Sequence, residues 1–257
     1  MHTIHIKDAT HENVYDLINL CIPKGAEDDP LFIKGIKEKE EYIHTVLDTY
    51  KTCAKVAYIQ SNPVGLIQYI PVPEEKIVHI QCIFVPHEQN QKKGVGTNLL
   101  HSLLSDMKSP QPAFNNQLPT ALVTYAFEVS GWFPQHIFYQ HHGFIPAGND
   151  PYLLYYPLQK GYHYTQKEVT PQKEDKGKAL IFHDPSCPFS ILFTEKTKES
   201  IKKVTKIPIR VINTFYDKEE VEKRGDVPQC IVNTIPIKSF VDDEEFESDI
   251  IQAVNTV

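Results

Sequence analysis

Two stretches of this sequence bring together residues suited to chemistry. The first is Gln91-Lys92-Lys93-Gly94-Val95-Gly96, which follows a strand-like run, Ile77–Val85. It precedes Leu99, Leu100, Leu103, Leu104 and Met107 at helical spacing. Glycines at a helix mouth let backbone N–H groups approach a ligand, and the first helical amides have no internal acceptor. The helix dipole adds partial positive charge there. Together these features make a seat for phosphate oxygens, with Lys92 and Lys93 at its rim. The spacing is neither Gly-x-Gly-x-x-Gly nor Gly-x-x-x-x-Gly-Lys-Ser/Thr. The second stretch is His183-Asp184-Pro185-Ser186-Cys187-Pro188-Phe189-Ser190. It ends one apolar run and opens a helical one, and a helix N-terminus favours the thiolate of a cysteine such as Cys187.

The elements that must position these stretches follow from periodicity. Ile4 and Ile6 alternate as in a half-buried strand, while Val14, Leu17, Ile18 and Cys21 recur at helical spacing. Ile43, Val46, Leu47 and Tyr50 predict a second helix. Lys55–Gln60 and Val64–Ile70, split by Ser61-Asn62-Pro63, predict an antiparallel hairpin. Alternation along Ile77–Val85 puts His79, Gln81, Ile83 and Val85 on one face. Lys108–Thr120 reads as a long exposed loop, Ala121–Phe127 as a strand, Phe133–His142 as a short helix and Tyr152–Leu158 as a strand.

From Gln159 to Lys178 the chain becomes rich in lysine and glutamate, which predicts a linker between domains 1–158 and 179–257. Beyond it lie a strand (Ala179–His183), a helix (Ile191–Val204), a strand (Ile207–Asn213) and a helix (Lys218–Arg224). The strands Gln229–Val232 and Ile235–Lys238 and a last helix, Asp243–Val254, complete the chain.

With 257 residues, a net charge of -7 and pI near 5.9, the chain has enough apolar residues for packed cores. It does not have the bulk positive charge of a nucleic-acid binder. No apolar run reaches the length of a membrane helix, and the first residues lack a signal peptide's apolar core. Five scattered cysteines are a poor disulfide framework and fit a reducing cytoplasm. No pair of ligands has convincing spacing for a metal.

The glycine turn resembles the Gln/Arg-x-x-Gly-x-Gly/Ala pyrophosphate loop of the Gcn5-related N-acetyltransferases (GNAT). Phe138-Tyr139-Gln140-His141-His142-Gly143-Phe144 is similar to the Phe-Tyr-x-x-x-Gly-Phe segment of that family. The resemblance implies an N-terminal α+β fold, a mixed and mostly antiparallel sheet with flanking helices. It also implies acetyl-CoA as cosubstrate, its pantetheine arm against Ile83, Phe84 and Val85 and its pyrophosphate on Gln91, Lys92, Lys93, Gly94, Val95 and Gly96. Tyr139 takes the position of the general acid. His79, relaying with Gln81 through water, and Glu128, just past the next strand, are the candidates for the base. Gly131-Trp132-Phe133-Pro134-Gln135 stands where many relatives carry an asparagine, a departure at one cofactor contact that leaves the Tyr139 role standing.

The tail resembles thioredoxin-like Cys-x-x-Cys/Ser sites, with Ser190 in the second-cysteine position and Cys230 as a distant partner for Cys187. In such folds Asp226-Val227-Pro228 would carry a cis-proline facing the thiol. The pairing of the two halves resembles the YoaP-type acetyltransferases with their smaller C-terminal α/β module. The expected reaction is direct acetyl transfer to a primary amine of a small molecule or peptide, by a cytoplasmic protein for which a homodimer is admitted. The rivals are an acyl-CoA-binding sensor without turnover and a thiol-redox protein acting through Cys187.

Overall fold

Strands rich in β-branched and aromatic residues build a seven-stranded mixed sheet in the first part of the chain. Ile4–Asp8 (β1), Ala54–Ile59 (β2), Asn62–Val72 (β3) and Ile77–Phe84 (β4) pair antiparallel in that order. Val14–Asn19 (α1) and Pro30–Tyr50 (α2) lie between β1 and β2 in the chain. Val95–Asp106 (α3) links β4 to Ala121–Tyr125 (β5), the one strand that pairs parallel in this sheet. Gln135–His141 (α4), Ile145–Pro146 (β6) and Leu153–Pro157 (β7) follow, and the sheet order is β1-β2-β3-β4-β5-β7-β6.

The computed structural model describes residues 3–127 and 132–256. Contacts divide it into two units, Met1–Pro23 with Glu40–Thr165 and Lys24–Lys39 with Gln166–Val257. Among the described residues, no helix is long and apolar enough to cross a membrane.

In the first unit the main core lies on the α3 side of the sheet. There Leu99, Leu100 and Leu103 pack on Val78, Ile80, Leu122 and Leu154. A smaller core on the other face gathers Ile77, Ala121, Val123 and Tyr155. Tyr162 and Tyr164, from the stretch expected to be linker, pack against it. The expected loop 108–120 also contributes, since Phe114 is buried in the main core from a single helical turn, Pro112–Phe114.

The reversal between β2 and β3 follows turn chemistry. Gln60 and Ser61 both have positive φ (49° and 66°), the geometry of a two-residue hairpin whose twist matches its strands. The reversal therefore sits one residue earlier than Ser61-Asn62-Pro63 suggests, and Asn62 already pairs with Ile59.

The expected alternation of β4 is corrected by a bulge. Gln68 pairs with Cys82 and Tyr69 with Ile80, so Gln81 is the extra residue. Beyond it the faces exchange, and Ile83 joins Val78 and Ile80 in the main core rather than His79 on the opposite side.

The second unit has its own four-stranded sheet, ordered β11-β10-β8-β9. Ala179–His183 (β8) runs parallel to Ile209–Asn213 (β9) through the crossover helix Ser190–Val204 (α5). Lys218–Glu222 (α6) then leads to Cys230–Val232 (β10) and Ile235–Ile237 (β11), an antiparallel pair, and Phe246–Asn255 (α7) closes the unit. Among the described residues there is no cis peptide bond, so the expected cis bond before Pro228 is absent.

Residues 166–178 are tied to this second unit by a buried ion pair. Arg224 Nε and a terminal nitrogen donate to the two carboxylate oxygens of Asp175 at 2.9 and 2.6 Å, and both residues are 1% exposed. Burial pushes the Asp175 carboxyl up. The Arg224 hydrogen bonds and the Gln172 amide outweigh that push and hold it below the usual carboxylate range. A depressed pKa contributes stability above the unfolded value of about 4, and that contribution is lost as pH falls through the folded pKa. Asp175→Ala is expected to cost about 3–5 kcal/mol, because it strands a buried guanidinium. Denaturant unfolding of the full chain checks this, and an unchanged midpoint would contradict it.

Candidate functional site: a parting of strands beside a helix mouth

β4 and β5 pair only from Ile77↔Ala121 to Ile80↔Thr124. β4 then runs on to Phe84, held on its other edge by β3 through Leu66↔Phe84. The two central strands therefore part, and among the described residues the β5-side edge of Ile83–Phe84 has no ladder partner. Thr124 marks the parting, its hydroxyl donating to the Ile80 carbonyl at 3.0 Å.

The glycine turn lies directly past this edge. Gly94 has φ +80° and caps α3 without a side-chain hydrogen bond. Lys92 is also left-handed, at φ 56°. Successive backbone conformations of this kind cup N–H groups around an anion. Within the turn, the Gln91 amide donates to Glu88 C=O (3.0 Å) and the Asn98 amide to Gly94 C=O (2.9 Å). Val95, Gly96 and Thr97 form the first helical turn, where amides have no intrahelical acceptor. Lys92 and Lys93 are exposed at the rim. Gly65 seats the turn against β3: a Cβ there would meet Val95 at 2.9 Å and the Phe84 carbonyl at 3.1 Å. Gln91 Nε2 donates to the Val85 carbonyl (3.1 Å), tying the turn to the end of the strand.

Tyr139 stands on the main-core face. It is 0% exposed, packed between Phe138 and Phe144. Among the described residues its hydroxyl has no hydrogen-bond partner. Burial raises the phenol pKa well above the ordinary value of about 10, and Cys82 adds to the rise. A cup of amides at an uncapped helix mouth is a feature that a diphosphate tail would satisfy.

His79 is half-buried and, alternating with Val78 and Ile80, belongs to the opposite face, that of Ile77 and Val123. The structure thus does not bring His79 and Tyr139 together on one face. The expected partner of His79, Gln81, is engaged in a side-chain network. Its Oε1 accepts from Tyr42 Oη (2.9 Å) and Gln68 Nε2 (3.1 Å). Glu128 lies outside the described residues. Tyr42, Gln68 and the Trp132 ring that packs on Phe84 (5.2 Å) were not singled out from sequence. A bulge that gathers side chains from α2 and β3 leaves no local signal.

Cys187 is exposed and Cys230 is buried, the latter's thiol pushed up to about 12 by burial, and no disulfide joins the two. Among the described residues there is no group of three His, Cys, Asp or Glu placed to hold a metal.

Residues 12–130 match the model of the acetyltransferase (GNAT) family, just under half of the chain. No curated protein matches the chain. Solved structures with a similar fold include a GNAT acetyltransferase from Brucella melitensis in complex with acetyl-CoA. It is 13% identical, over 65% of this chain and 95% of that one, with a TM-score of 0.43. A GNAT-family acetyltransferase from Staphylococcus aureus is 17% identical over 61% and 100% of the two chains, with a TM-score of 0.45. Diaminobutyrate acetyltransferase from Paenibacillus lautus, in complex with its substrate and coenzyme A, is 14% identical over 48% and 66%, with a TM-score of 0.34.

Proposed function

We propose that the chain transfers an acetyl group from acetyl-CoA directly to a primary amine, carried by a small molecule or, as the alternative, by a peptide. The observation that carries this reading is the parting of β4 from β5 beside an uncapped helix mouth. Acetyl-CoA supplies an activated thioester. The amides of the turn Gln91–Gly96 would hold its diphosphate, and the open edge from Ile83 to the Val85 N–H would orient its pantetheine arm as an added strand. Tyr139 would hold a proton on its hydroxyl at the thiol side of the parting. The amine would enter from the His79 face, so that base and acid act from opposite sides of the sheet. His79 and Glu128 remain the candidates to take its proton. A net charge of -7 favours a small acceptor over an anionic polymer.

We read the second unit as thioredoxin-like on its order β8-α5-β9-α6-β10-β11-α7. Cys230 is too buried to serve as a second redox thiol, which favours a binding role over a redox one.

The test is an amine panel with free-thiol detection, run on the full chain. Release of coenzyme A that depends on one class of amine is expected. Tight acetyl-CoA binding with no release across the panel would replace the enzyme reading by a sensor.

A further inference from the structure

We propose that the second unit binds a small organic ammonium ion bearing one ring or branched apolar group, at a site separate from the parting of strands. The site is a cavity of about 260 Å3 bounded by β8, the start of α5 and Val227–Gln229. Small-molecule pockets usually span about 300–1,000 Å3, so this one suits a compact ligand.

Its polar floor is organised by His183, which is 5% exposed. Glu38 Oε2 lies 2.8 Å from its Nε2. An ionised carboxylate can only accept, so Nε2 carries a ring proton. Nδ1 meets Thr194 Oγ1 at 2.9 Å and Ser190 Oγ at 3.3 Å. The Ser190 oxygen also receives the Asp184 amide (3.0 Å), and Thr214 donates its hydroxyl to the His183 carbonyl (3.2 Å). The Thr214 hydroxyl thus spends its proton on His183, and its oxygen offers a ligand lone pairs. Asp184 adds a carboxylate that already accepts the Ser186 amide (2.9 Å) and hydroxyl (2.8 Å) and has lone pairs to spare. The Gln229 side chain is tied to Thr197 and Val241.

A floor of acceptors selects a donor. An anion would find little there, because three of the first four amides of α5 are already used. Ser190 N–H goes to Cys187 C=O (3.0 Å), and Leu192 and Phe193 N–H go to Phe189 C=O (3.0 and 3.2 Å). Lys196, 6.0 Å from the Phe193 ring centre, is paired with Asp242 (2.9 Å). The walls complete the specificity. Phe193 and Phe240 meet edge to face at 4.9 Å, and Phe182 and Val227 extend the apolar surface. Aromatic faces add cation–π attraction for an ammonium group and area for its apolar body.

A local reporter separates this site from any amine site in the first unit. Trp132 is the single tryptophan, and Phe240 is 42% exposed, so Trp132→Phe with Phe240→Trp places one fluorophore on the cavity rim of the full chain. Phenethylamine, titrated without acetyl-CoA, is expected to give a saturable change with half-saturation below about 1 mM. 3-Phenylpropionate and 2-phenylethanol should respond at least tenfold more weakly. Asp184→Asn and Thr214→Val should each weaken the amine response, the first at least tenfold, with melting curves showing that each variant folds. Should Asp184→Asn fail to fold, Thr214→Val decides. No saturable change, equal binding of acid or alcohol, or a titration unmoved by the folded variants would overturn the proposal.

Discussion

Gly96→Asp is expected to lower acetyl-CoA affinity at least a hundredfold while leaving the fold intact. Gly96 is the second residue of α3, and a Cβ there would lie 3.5 Å from the Phe138 ring and 3.8 Å from Ile83, both ordinary contacts. An acidic residue in a helix's first turn is favourable by about 0.3–1 kcal/mol, so the substitution does not threaten α3. The same carboxylate would face a diphosphate on the turn. Two like charges about 4 Å apart cost about 4 kcal/mol at an effective dielectric near 20, or nearly a thousandfold in binding. Gly94 is a poorer place for this test, since at φ +80° any side chain strains the backbone. Gly96→Ala supplies the control, expected to be at least as stable as the natural chain because alanine is the better helix former. Calorimetry with acetyl-CoA and thermal melting read both effects. Unchanged affinity in Gly96→Asp would remove the turn from the site.

The turn was legible because its signal is local: two glycines, two lysines and the apolar stripe of α3 lie within a few turns of chain. Most elements of both sheets were legible for the same reason, as runs of period two or 3.6. What sequence did not carry was long-range. The bulge at Gln81 depends on how β3 registers against β4, and a one-residue slip moves side chains between faces without altering the pattern of apolar residues. The Glu38–His183 contact joins residues 145 positions apart. Residues 159–178 read as linker by composition, yet Tyr162 and Tyr164 join one core and Asp175 is buried in the other unit. Composition averages over residues, and a few anchored side chains are enough to pin a segment that is otherwise charged.

Tyr139→Phe separates a chemical role from a packing role by moving rate and stability in opposite directions. The Tyr139 hydroxyl is buried and has no partner among the described residues. An unsatisfied buried polar group costs about 1–3 kcal/mol, so its removal is expected to leave the melting temperature unchanged or raise it. If the hydroxyl serves the departing thiolate, the same change should slow transfer by about 10²–10⁴ with little loss of acetyl-CoA affinity. A tyrosine kept only for its ring would show the stability gain and no loss of rate. The raised pKa of this phenol adds a second expectation. An acid whose pKa lies well above 10 stays protonated through the alkaline range, so Tyr139 should add no falling limb to the pH–rate profile below about pH 10. Such a phenol parts with its proton only as negative charge develops on sulfur, which ties its action to bond breaking rather than to substrate binding. An unaltered rate in Tyr139→Phe, measured at saturating acetyl-CoA, would therefore remove this side chain from the chemistry and leave it to the core.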